Sequence, residues 1–265
     1  MTVIAFVGAG SVVFTRQLVA DLLAFDDLGP VALRLHDIDP ERLRVAEGVV
    51  HAMAEGRGDV TVAAHGERRA ALAGADFVVD MIQVGGIEAT RRDLEIPAAH
   101  GILQTIGDTT GIGGISRALR TFPVLRGILE DMRVECPDAI LLNYTNPMTM
   151  NLWWAQAVAP DIAAIGLCHS VYWTVHDLCE LVGVDVAAVQ HRAAGLNHQS
   201  WLLEWTLDGE DLYPRLAERI AGDEQLRRRV RVEMLRRIGR FPTETSEHSA
   251  EYLRSEERRV GKECR

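Results

Sequence analysis

Six short apolar runs leave this chain few folds to choose from. They span residues 3–7, 31–36, 60–64, 77–82, 139–142 and 162–166, and stretches of helical pattern lie between them. Continuous apolar runs of this length suit strands buried on both faces of a sheet. Strands alternating with helices predict an α/β fold, a doubly wound parallel sheet. Ligands of such sheets sit beyond the carboxyl ends of the strands. The informative loops are therefore 8–11, 83–86, 143–147 and 166–170, each of which follows a predicted strand. With 265 residues, 48% of them hydrophobic, the chain has ample core material. A formal charge of -10 argues against a nucleic-acid or anionic-membrane partner. No apolar run approaches the length of a membrane span, and Met1-Thr2-Val3 lacks a basic leader. The four cysteines are irregularly spaced and suggest no disulfide framework, so a cytoplasmic protein is expected.

Gly8-Ala9-Gly10-Ser11 follows the first strand and opens a helix expected to run to Phe25. Glycines there permit a tight turn and close approach of a pyrophosphate to a helix N-terminus. Val13 stands where a third glycine is usual. The second strand ends at Asp37, whose carboxylate suits a ribose diol and hence NAD. Asp39 and Pro40 read as N-cap and first residue of the next helix. Residues 88–96 read only as a polar segment, and 104–114 as a Gly/Thr-rich loop with Asp108 as its single carboxylate.

The stretch 141–201 carries the side chains best suited to chemistry. Asn146 precedes Pro147 and is biased to an extended conformation; its amide can bind a polyol. Cys168 and His169 stand where a helix begins, a position that favours thiolate. His198 lies between two predicted strands, 189–194 and 201–207. A thiolate and an imidazole together suit one borderline-soft metal ion. Cys136 and Cys179, inside helical patterns, read as small buried hydrophobes. Helices are expected over 211–220 and 223–238, with Arg227, Arg228 and Arg229 on a solvated face. The segment 241–253 is dense in ionisable groups and reads as a second site segment. From Arg254 the text turns charged and aperiodic and reads as a foreign tail. The expected organisation is a nucleotide domain over 1–170, an incomplete substrate and metal domain over 171–253, and the tail over 254–265.

Seven ordered blocks, at 8–11, 37–40, 104–114, 143–150, 166–171, 195–198 and 243–252, resemble the NAD- and manganese-dependent glycosidases of glycoside hydrolase family 4, and among them the melibiase-type α-galactosidases. The resemblance implies a Rossmann-type domain followed by part of an α+β substrate domain with lactate/malate dehydrogenase-like architecture. It implies that Gly8, Gly10, Ser11 and Asp37 bind NAD, that Cys168 and His198 bind Mn(II), and that Asn146 binds the sugar. Tyr252 matches the catalytic base and Asp108 the carboxylate that raises its basicity. His169 stands where phosphoglucosidase members carry the acid; as proton donor, His169, Glu247 and His248 all remain open. Thr90 occupies the place of a phosphate-binding arginine, which favours an unphosphorylated sugar. The implied reaction oxidises carbon 3, eliminates the glycosidic oxygen, adds water and re-reduces, outside the usual two-carboxylate scheme. A small-molecule glycoside partner and a homo-oligomer follow from the same resemblance. Two other readings stand beside it: an NAD-dependent 2-hydroxy-acid dehydrogenase, and a truncated chain that binds NAD without turnover.

Overall fold

The computed structural model describes residues 1–251. In chain order its strands and helices are β1 (Thr2–Val7), α1 (Val12–Leu23), β2 (Val31–His36), α2 (Pro40–Met53), β3 (Val60–His65), α3 (Arg68–Leu72), β4 (Phe77–Asp80), α4 (Gly86–Ala99), α5 (Ile112–Glu135), β5 (Ile140–Asn143), α6 (Met148–Val158) and β6 (Ala164–Gly166). There follow α7 (Ser170–Val182), β7 (Val189–Leu196), β8 (Gln199–Leu207), β9 (Glu210–Asp211), α8 (Tyr213–Ala221), α9 (Glu224–Arg227), α10 (Val230–Ile238), β10 (Phe241–Pro242) and α11 (Ser246–Ala250).

Two compact units result. One comprises Met1–Gly86 with Arg117–Leu167, and the other Ile87–Ser116 with the chain from Cys168 onward. The first holds a parallel six-stranded sheet in the order β3-β2-β1-β4-β5-β6, the doubly wound Rossmann-type arrangement. Strand order reverses between β1 and β4, which places the ligand crevice at their carboxyl ends. Alternation along β1 divides the core between the two faces. Ile4 and Phe6 pack with Val19, Leu43 and Val50 from α1 and α2. Ala5 and Val7 pack with Leu125, Leu129 and Met132 from α5 and Ala155 from α6. Asp39 caps α2 by accepting from Glu41 N and Arg42 N, with Pro40 in the first turn.

The second unit contains an antiparallel sheet in which β8 pairs with β7, β9 and β10. Its core joins Val175, Leu178 and Cys179 of α7 to Leu202 and Trp205 of β8 and Leu216 and Ile220 of α8. The half-buried Arg231 donates to Thr174 Oγ1 at 2.6 Å and to Pro242 O at 3.1 Å, and lies over the Phe241 ring. Thr174 Oγ1 in turn donates to Thr243 O at 2.8 Å. This clamp fixes the strand that leads into Glu244. Arg231→Met removes the donors and leaves Thr174 and Pro242 short of partners. It is expected to destabilise the unit by about 2–4 kcal/mol, read by urea unfolding.

Some segments depart from the sequence expectation. Residues 88–96 belong to α4. Asp211 is in β9 rather than in a helix, and its carboxylate accepts from Tyr213 N at the start of α8. The helix expected over 223–238 is two helices, because Arg229 is extended (φ -69°, ψ 138°) and caps α10. Asp223 supplies a separate cap for α9, accepting from Gln225 N and Leu226 N. Among the described residues, no helix is long and apolar enough to cross a membrane. The expected tail, 254–265, lies outside them.

Candidate active site

In the first unit, the chain leaves β1 through a turn in which Gly8 N and Ala9 N both donate to His36 O. Gly8 has φ +90°, and a Cβ there would stand 2.8 Å from Met81 O. Gly10 N donates to Asp37 Oδ2 at 2.7 Å, and Asp39 N to Asp37 Oδ1 at 2.9 Å. A Cβ on Gly10 would lie 2.5 Å from Asp37 Oδ2 and 2.7 Å from Arg42 Cβ. The turn is therefore a bare-backbone cradle with a carboxylate fixed at its rim, and Ser11 precedes α1. These are the features a dinucleotide site requires. Asn146 follows β5 and is half-buried. Asp80, at the end of β4, was not singled out from the sequence. It is fully buried, and burial pushes its carboxyl up to about 7 against the lowering effect of Thr145 and Ile82.

In the second unit, four stretches of the chain meet at His198. The Gly/Thr-rich loop brings Asp108 and Thr109, the β7–β8 turn brings His198, and the start of α7 brings Cys168 and His169. The segment after β10 brings Glu244 and His248. Asp108 Oδ1 lies 3.4 Å from His198 Nδ1 and 3.4 Å from His248 Nε2. Glu244 Oε2 lies 3.8 Å from His198 Nε2 and 3.2 Å from His248 Nδ1. The two imidazole rings are 4.2 Å apart, and Thr109 Oγ1 is 3.1 Å from His198 Nδ1. Asp108, Glu244 and His198 are buried.

Mutual ionisation follows from this crowding. Burial opposes charge on His198, but Asp108, Cys168 and Glu244 prevail and raise its pKa to about 10. Burial likewise opposes charge on Asp108, and the two histidines hold it far below the usual carboxylate range. Cys168 is exposed as a residue. Burial of its thiol is outweighed by hydrogen bonds from His169, His198 and Ser170, which bring it down to about 5. His169 is raised first by its hydrogen bond to Cys168. Burial pushes Glu244 upward against the two imidazoles.

Asp108, His198 and His248 offer ligand atoms within 4.8 Å of one another. His248 Nε2 is buried and makes no hydrogen bond among the described residues. Imidazole and carboxylate donors in this group, with the Cys168 thiol hydrogen-bonded to His198, fit a divalent cation of the Mn or Zn type. The structure thus brings together the predicted Cys168, His169, His198 and Asp108. Tyr252 lies outside the described residues. Sequence reasoning missed Glu244 and Thr109 as members of this cluster.

One side chain binds three successive amides of the Gly/Thr-rich loop. Thr105 N, Ile106 N and Gly107 N all donate to Glu251 Oε1, at 3.0, 2.6 and 2.6 Å. Thr105 Oγ1 also donates to Glu247 O at 2.5 Å. Three successive amides around one carboxylate form an anion nest whose anion belongs to the protein itself. Glu251→Ala is expected to cost about 2–3 kcal/mol and to speed amide hydrogen exchange at 105–107. Exchange mass spectrometry reads this directly; unchanged protection would show that the loop is held elsewhere.

The first unit has the Rossmann-type sheet and glycine cradle of a dinucleotide-binding domain, and the second carries thiolate, imidazole and carboxylate groups that suit a cation. The profile described as family 4 glycosyl hydrolase matches residues 3–184, and that of the family's C-terminal domain matches 193–264. The chain belongs to glycosyl hydrolase family 4. An α-galactosidase of Bacillus subtilis (strain 168) is 42% identical over 256 residues, which are 95% of this chain and 59% of that protein. The chain therefore spans 59% of the length of that relative. A crystal structure of a candidate glucosidase from Bacillus subtilis superposes with TM-score 0.87 at 28% identity, over 98% of this chain and 65% of the other. The 6-phospho-β-glucosidase of Thermotoga maritima, solved with manganese, NAD+ and glucose-6-phosphate, gives TM-score 0.83 at 23% identity, over 99% of this chain and 61% of that one. At that identity it speaks for the fold alone.

Proposed function

We propose that this protein is a glycosidase of α-galactosides, dependent on NAD and Mn(II), working by transient oxidation at carbon 3 of the sugar. The observation that carries the reading is the cluster in which Asp108, His198 and His248 offer ligand atoms within 4.8 Å of one another, with Cys168 hydrogen-bonded to His198, in a chain 42% identical to an α-galactosidase. Gly8 and Gly10 leave backbone free to approach a pyrophosphate, and Asp37 offers its carboxylate to the ribose diol. Asn146 offers an amide to sugar hydroxyls. Cys168 supplies a thiolate and His198 an imidazole to the cation. Asp108 and Thr109, on Nδ1 of His198, orient its ring as carboxylate partners of metal-bound histidines do. Tyr252 is the proposed base, and His169, beside the thiolate, a proposed proton donor. When bound, NAD would take a hydride from carbon 3 and give it back, and Mn(II) would polarise the sugar oxygens that make the carbon 2 proton acidic. The proposed site is that of a soluble enzyme acting on a small glycoside, and a homo-oligomer is proposed with it.

The test is incubation with a nitrophenyl α-galactoside, NAD, Mn(II) and reductant in deuterated water. Galactose released only with both cofactors and carrying deuterium at carbon 2 is expected. Release without deuterium would reject the oxidative route, and a thermal shift with NAD but no release would indicate a binding fragment. Cys168→Ala is expected to abolish the manganese-dependent release, by about 100-fold or more, while the NAD thermal shift persists.

A further inference from the structure

We propose that His248 is a direct ligand of the same cation as His198, so that α11 contributes to the metal centre; this rests on the cation reading above. The sequence leaves His248 among several candidate proton donors, and the geometry points to a different role. His248 Nδ1 faces two acceptors, Thr245 Oγ1 at 3.1 Å and Glu244 Oε2 at 3.2 Å. A proton on Nδ1 satisfies these, and Nε2 is then left with its lone pair. That nitrogen is buried and has no hydrogen bond among the described residues. It lies 3.4 Å from Asp108 Oδ1, and Asp108, His198 and His248 offer ligand atoms within 4.8 Å of one another. Charge-assisted N–H···O bonds between such groups close to about 2.7–2.9 Å. The longer spacing leaves His248 Nε2 without such a bond and its lone pair available to a cation. A metal-bound histidine ordinarily gives its other ring N–H to a carboxylate, and Glu244 supplies that partner here.

The position of the side chain is also fixed in advance. Thr245 caps α11 by accepting from His248 N. Glu251, one residue past α11, is bound by the three amides of the loop that carries Asp108. The Arg231–Thr174–Thr243 clamp holds the entry to the same segment. The helix is therefore tied at both ends, as a preorganised ligand requires.

The experiment uses the full chain and Mn(II) alone. Titration followed by the EPR signal of free manganese gives the affinity for the parent and for His248→Gln, His198→Gln and Cys168→Ala. The Gln side chain keeps a hydrogen-bonding group toward Glu244. His248→Gln is expected to weaken binding at least about tenfold, the loss seen even when an outer partner of a ligand is removed. Its NAD thermal shift is expected to match the parent. Pulsed EPR of the loaded parent is expected to show couplings from two imidazole nitrogens. Unchanged affinity in His248→Gln beside loss in His198→Gln would overturn the proposal and leave the cation site standing. Absence of manganese binding in the parent would overturn both. Should His248→Gln fail to fold, the parent's nitrogen count decides: two imidazoles sustain the assignment and one overturns it.

Discussion

Replacing Asp108 with asparagine is expected to cost the metal-free protein about 3–5 kcal/mol near pH 6, the scale for removing one partner of a buried ion pair. Asp108 faces both His198 and His248, and the variant leaves two imidazoles without the carboxylate they share. At about 2–4 °C per kcal/mol, the Tm should fall by about 6–20 °C. The loss depends on pH in a definite direction. His198 titrates at about 10 in the folded protein, against about 6.5 in an unfolded chain. Between those values the folded state holds a proton that the unfolded state has released. The stability due to this contact is complete below about pH 6.5 and is lost as pH rises through about 10. Asp108 acts at the other end. Its folded pKa is depressed, so its contribution is present above about pH 4 and is lost as pH falls through the folded value. The Tm gap between parent and Asp108→Asn should thus be widest around pH 5–6.5 and close towards pH 10. Circular dichroism melts in chelator at several pH values measure it. A gap that stayed constant across that range would mean that Asp108 acts through packing and neutral hydrogen bonds, not through charge.

That argument draws on contacts which the sequence shows only in part. The sheet was legible because its cause is local: strand-length apolar runs at 3–7, 31–36, 60–64 and 77–82, with Gly8 and Gly10 after the first and Asp39-Pro40 after the second. Such features act over a few residues and leave their pattern in the text. The cluster around His198 has no local cause. Asp108 and His198 are 90 positions apart, Thr105 and Glu251 are 146, and no periodicity reports either meeting. Cys168, His169, His198 and Asp108 were legible as candidates because a family pattern marks them. Glu244 was not singled out, since nothing in the sequence separates it from the other ionisable residues of the site segment 241–253 until its burial and two facing imidazoles are seen. Glu251 looks equally ordinary in the sequence, although it organises the loop that carries Asp108. The helix α4 escaped notice because its polar residues and Pro97 obscure the apolar stripe that would announce it.

Gly10→Ala is expected to raise the Kd for NAD by about 5- to 150-fold, equivalent to the 1–3 kcal/mol that an inserted methyl group costs in a tightly packed place. Arg42 Cβ and Asp37 Oδ2 stand where the new methyl must go, at 2.7 and 2.5 Å. The backbone of α2 holds Arg42, because Asp39 caps that helix on Arg42 N and Glu41 N. Asp37 is therefore the group that yields. Its carboxylate would leave Gly10 N, now bonded at 2.7 Å, and with it the position proposed for the ribose diol. A carboxylate that has lost its place also loses discrimination, so the preference for NAD over its 2′-phosphorylated form should shrink along with affinity. Parallel titrations of the two nucleotides by fluorescence, in parent and variant, separate these effects. Weaker binding of both with the ratio unchanged would show that the methyl blocks the pyrophosphate and leaves Asp37 in place. Undiminished affinity for NAD would remove the glycine cradle from the nucleotide site altogether. Because the second unit contains neither Gly10 nor Asp37, the variant should bind Mn(II) as the parent does, which distinguishes a local defect at the turn from general loss of structure.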